Sequence, residues 1–93
     1  MPIVRITRKL FRVTDQIRSL QAERGQVWSE LEFHRHINDD AQRDAAVSEF
    51  NEDKLEATAT AADVRRFERH LAKVDKDLAR LERKRQSLLA RLD

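Results

Sequence analysis

The sequence predicts an all-α fold: a long antiparallel helical hairpin of coiled-coil type, with a short helix or loop at its tip, that dimerises into a four-helix bundle. Three observations carry this. With 39% charged residues, one Gly, one Pro and no Tyr, the composition suits long helices and leaves strands little to work with. Over residues 60–92, Val64, Phe67, Leu71, Val74, Leu78, Leu81, Leu88 and Leu92 recur at alternating spacings of three and four, interrupted only by Arg85. Over residues 3–37 the same spacing returns in Ile3, Ile6, Leu10, Val13, Ile17, Leu20, Val27 and Leu31, with Arg24 and His34 at the remaining seam positions. That is the a/d repeat of helices buried along a narrow seam.

All 93 residues are read as one domain. The first helix is expected over about 3–37, with Pro2 in its first turn, where the missing N–H is no loss. Gly25, which costs about 1 kcal/mol in a helix interior, and the β-branched opening Ile3-Val4-Arg5-Ile6-Thr7 are its weak points. The alternative for that opening is a short strand followed by a helix capped at Thr14 or Asp15. Asn38-Asp39-Asp40 then breaks the pattern, because these side chains satisfy backbone groups locally. A short helix on Ala41, Ala45, Ala46, Val47 and Phe50 follows, ending at Asn51-Glu52-Asp53. Thr60-Ala61-Ala62-Asp63 reads as a capping box that opens the second long helix, about 60–92.

The two repeats match in antiparallel register when facing residue numbers sum to 98, which pairs Leu31 with Phe67, Ile17 with Leu81, Leu10 with Leu88 and Ile6 with Leu92. Nine layers from Ile6/Leu92 to His34/Val64 carry 15 apolar side chains out of 18. At about 2 kcal/mol per buried side chain, against at least about 1 kcal/mol per ordered residue, a lone hairpin is marginal. Apolar residues off the seam therefore matter. Val4, Phe11, Trp28 and Leu89, with Ala72 and Ala79, fall at b or e positions and form a second stripe of the kind that marks an interface. A twofold homodimer through this stripe is the favoured reading; docking of a partner helix, or cover by Val47, Phe50 and Leu55 of the middle segment, are the others. Like-charge pairs at g positions, Lys9 near Arg91 and Glu23 near Asp77, also point to a second chain. Arg24 and Arg85, at a positions, read as register devices with snorkelling guanidinium groups.

Charge is unevenly placed. Residues 38–59 hold two Lys/Arg against seven Asp/Glu, while residues 60–93 hold ten against six. An acidic tip of Asp39, Asp40, Asp44, Glu49, Glu52, Asp53 and Glu56 thus opposes a basic end of Arg5, Arg8, Lys9, Arg12, Arg83, Lys84 and Arg85. The basic end allows a nucleic-acid reading, although Asp77-Arg80 and Glu82-Arg85 spacings partly neutralise it. In outline the acidic tip resembles the coiled-coil domain of Gre-type transcript-cleavage factors. That resemblance, which covers architecture and charge alone, implies tip carboxylates that enter an RNA polymerase channel and help hold a magnesium ion.

Chemistry has little footing. No Cys is present, which removes disulfides, thiolate metal sites and a cysteine nucleophile, and favours a cytoplasmic address. Glu30/His34 and Glu32/His36 have a possible ligand spacing, with His70 near Glu30, but no HExxH or thiolate supports them. One Gly forbids a phosphate loop, and no Ser has a base and orienter in evidence. No cofactor, no metal and no enzymatic activity are expected. Apolar runs fall short of a membrane span, and no signal-peptide core follows the N-terminal basic residues.

Overall fold

The computed structural model describes residues 2–92. Two helices, α1 (Pro2–Val47) and α2 (Asn51–Ala90), are joined by a turn of Ser48, Glu49 and Phe50 and pack as an antiparallel hairpin. No strand occurs among the described residues, and no helix is long and apolar enough to cross a membrane. Contacts divide the chain into two compact units: a terminal unit, made of α1 up to Gly25 with α2 from Lys73, and a turn unit spanning Gln26–Ala72.

In the terminal unit the a/d repeat makes the core. Ile6, Val13, Ile17, Leu81 and Leu88 are buried together, and Leu10, Leu20 and Leu78 pack against them. The β-branched opening is helical; Thr7 Oγ1 donates back to the Ile3 carbonyl at 2.8 Å, which satisfies its hydroxyl without leaving the helix. Leu92, expected opposite Ile6, instead lies beyond the end of α2 and is exposed. There the chain tightens through Arg91 N–H to Leu88 O and Leu92 N–H to Leu89 O, at 3.2 and 3.1 Å, the i to i−3 pattern common at helix ends.

The turn unit is where the helices differ from the sequence expectation. α1 runs ten residues past position 37, and α2 begins nine before position 60. Residues 38–59 are thus mostly helix, not a connection with a short helix of its own. The reason is that the heptad continues in small residues. Positions 38, 41 and 45 of α1 and 53, 57 and 60 of α2 keep the three-four spacing, and their pairs still sum to 98. Ala41, Ala57 and Thr60 are buried there beside Val27 and Leu31, buried seam residues of the same unit. Asn38 does not break the helix because its amide is used across the seam: its Oδ1 accepts from Thr60 Oγ1 at 3.0 Å and from Gln42 Nε2 at 3.1 Å. Gln42 Nε2 also reaches the Ala57 carbonyl at 3.0 Å.

Thr60 is accordingly no cap. It sits in mid-helix, with its hydroxyl also 3.1 Å from the Ala57 carbonyl, and Asp63 faces Arg66 at 3.3 Å instead of reaching back. The start of α2 is fixed elsewhere. Phe50 N–H donates to Ser48 Oγ at 3.0 Å, the Ser48 hydroxyl donates to the Asp53 carboxylate, and Glu52 and Asp53 place negative charge in the first turn, where the helix dipole favours it.

Candidate interaction surfaces

With a and d positions turned into the seam, b and e positions of both helices lie on one flank of each unit and g and c positions on the other. On the b/e flank of the terminal unit, Val4, Phe11 and Leu89 are exposed, Phe11 at 67%. The same flank carries short side chains, Thr7 and Thr14, half-buried, and Ala79 and Gly25, together with the longer polar Arg18, Gln21, Asp75, Glu82 and Gln86. A Cβ added at Gly25 would meet nothing within 4 Å, so no contact inside the chain requires glycine there. In the turn unit Trp28, at an e position, is 47% exposed. The middle segment leaves the stripe uncovered, since Val47, Phe50 and Leu55 lie at or near the turn and are themselves exposed.

One exposed aromatic residue on the helices escapes the b/e pattern. Phe33 is 62% exposed at a c position, on the flank opposite Trp28, and its ring meets His34 edge-on at 5.6 Å between centroids. His34 in turn stacks on Phe67 at 4.5 Å, so this seam histidine is held by aromatic contact. An aromatic residue at an outer heptad position was the signal available for Phe33.

The sequence-predicted basic end is divided by the fold into three settings. Arg5, Lys9, Arg12 and Lys84 line shallow grooves between α1 and α2 on the g/c flank, where Arg91 joins them. Neither groove is lined by a carboxylate or an aromatic ring. Among the described residues none of these five cations makes an ion pair. Arg8 and Arg83, at f positions, point outward and are exposed. Arg85 is partly buried in the seam; its Nε has no hydrogen bond, and Glu82 Oε2 is 3.8 Å away. The other seam arginine is better served, because Arg24 grips Asp75 at two points, Nε to Oδ1 at 2.5 Å and Nη2 to Oδ2 at 3.4 Å. That hydrogen bond and the Asp75 charge raise the Arg24 pKa further.

The seven acidic residues are likewise spread over helices and do not crowd a loop. Asp39, Asp40 and Asp44 lie on α1, Glu52, Asp53 and Glu56 on α2, and Glu49 alone in the turn. Asp40 faces Arg43 at 3.4 Å, and Asp53 is taken up by Ser48. No group of three His, Asp or Glu side chains among the described residues is placed to hold a metal ion, at the turn or around His34, His36 and His70.

No family model matches the chain, and no curated protein or solved structure is similar to it. The reading of its surfaces therefore rests on their own chemistry. The b/e flank offers exposed aliphatic and aromatic side chains, which suit helix packing. The g/c flank of the terminal unit offers five cations that make no ion pair among the described residues, which suits an anionic partner.

Proposed function

We propose that the chain is a non-enzymatic structural and protein-interaction module, a helical hairpin that pairs with a second copy through its b/e flanks to form a four-helix bundle. The observation that carries this is the exposure of two large aromatic rings, Phe11 and Trp28, with Val4 and Leu89 also exposed at b/e positions. Large aromatic rings in water are costly to leave uncovered and are enriched at the centres of interfaces. A twofold axis would let each stripe meet its own copy. The lack of cysteine suits a reducing, cytoplasmic setting.

The test is absolute mass by light scattering on a sizing column, run at high salt so that the apolar contact dominates. The unmodified chain should elute as a dimer. Phe11→Lys combined with Trp28→Glu should halve the mass while far-ultraviolet circular dichroism keeps most of its helix signal. A mass that does not change between the two proteins would overturn the reading.

A further inference from the structure

Charge in this molecule is segregated by flank as well as by unit. On the g/c flank of the terminal unit stand seven Lys/Arg against two Asp/Glu. On the g/c flank of the turn unit the balance inverts: Glu30, Asp40, Asp44, Glu52, Glu56 and Asp63 face one cation, Arg66. The net charges are thus +5 and −5. The b/e flanks carry nothing comparable. In the terminal unit theirs is one cation against two acids, and on the helices of the turn unit three cations against three.

From this complementarity we propose that the basic groove of the terminal unit, lined by Arg5, Lys9, Arg12, Lys84 and Arg91, docks the acidic g/c flank of the turn unit of a second copy. Each copy carries both halves of the contact in equal charge, so no further partner is needed to complete it. The groove favours this occupant over single-stranded nucleic acid because no aromatic ring lines it for base stacking. The cations are available, being free of ion pairs among the described residues. Four of the acids, Asp40, Asp44, Glu52 and Glu56, are exposed. This contact uses the flank opposite the apolar stripe, so it stands or falls separately from the dimer proposed above.

Sedimentation velocity of the full chain across a salt series decides it. Charges more than about 10 Å apart are screened at 0.1 M salt, so this association should weaken at least about tenfold between about 20 mM and about 500 mM NaCl. Two charge-reversed proteins make the assignment specific. One carries Lys9→Glu, Arg12→Glu and Lys84→Glu; the other carries Asp40→Lys, Asp44→Lys and Glu56→Lys. Each alone should lose the salt-sensitive species, and an equimolar mixture should recover it. The Phe11→Lys, Trp28→Glu protein should keep it, which separates this contact from the apolar one. Association of the unmodified chain that is indifferent to salt or tightens with it overturns the proposal. So does failure of the mixture to recover, loss of the species in the Phe11/Trp28 protein, or a DNA duplex bound at low salt by a chain that does not self-associate.

Discussion

The terminal and turn units use the same antiparallel register and fill it with different chemistry. In the terminal unit large aliphatic side chains do the work, with Ile17 and Val13 almost wholly removed from solvent. Towards the turn the seam shrinks to Ala41, Ala57 and Thr60, and a hydrogen bond from Thr60 to Asn38 replaces an apolar layer. Alanine and threonine seams bury little area per layer, so each contributes little hydrophobic stabilisation. Their buried polar atoms, in contrast, fix which residues must face each other, since a slipped register would leave them unpaired. The terminal unit is filled by volume throughout, whereas the turn unit, whose Val27 and Leu31 are just as deeply buried, adds specification by polarity near its turn.

Four substitutions would break or sharpen that contrast, each read from urea unfolding followed by circular dichroism. Ile17→Ala, in the terminal core, should cost the most, about 3 kcal/mol, through lost burial and the cavity it leaves; a cost under about 1 kcal/mol would mean that this core is loosely packed. Thr60→Val should cost about 1 kcal/mol, because Asn38 Oδ1 then keeps only its bond from Gln42 Nε2 inside the seam. Adding Asn38→Leu should then return most of that loss, since replacing both partners of the lost bond by apolar groups removes the under-satisfied oxygen. If the double substitution is worse than the single one, the polar pair stabilises the turn unit as well as specifying it. The smallest effect is expected at Gly25, the last residue of α1 in the terminal unit. Gly25→Ala should stabilise the monomer by about 0.8 kcal/mol, because the new Cβ meets nothing.

Much of this architecture is legible in the chain, and the illegible parts have physical reasons. The register that sums to 98 follows from the leucine, isoleucine and valine spacing alone. Large apolar residues report their burial through periodicity. Alanine does not, because it is equally at home on a surface or in a seam, so Ala41, Ala45 and Ala57 hid the continuation of the heptad. Asn38-Asp39-Asp40 has the look of a break because such residues often bond their own backbone; here Asn38 faces the partner helix, Asp39 is exposed, and Asp40, also exposed, faces Arg43 one turn on. Thr60 and Asp63 have the spacing of a capping box, but i and i+3 are also neighbours in any helix interior. At the surfaces, sorting residues by flank found the exposed stripe, whereas grouping charges by their place along the chain missed the inversion on the g/c flank. It also mixed Arg8, Arg83 and Arg85 with the cations that line the groove.

The three-residue turn has a consequence for how the chain finds its shape. Cross-helix contacts nearest Ser48–Phe50 join residues 15 and 22 positions apart, Gln42 with Ala57 and Asn38 with Thr60, whereas Arg24 and Asp75 are separated by 51. Closing a longer loop costs more entropy, about 0.6 kcal/mol for each doubling. Once the turn has formed, every further layer adds only a few residues to an existing hairpin. Folding therefore zips outward from the weaker, alanine-lined seam, and the large aliphatic core closes late. Changes near the turn act mainly on the rate of folding, and changes at Ile17 or Leu81 mainly on the rate at which the finished hairpin comes apart.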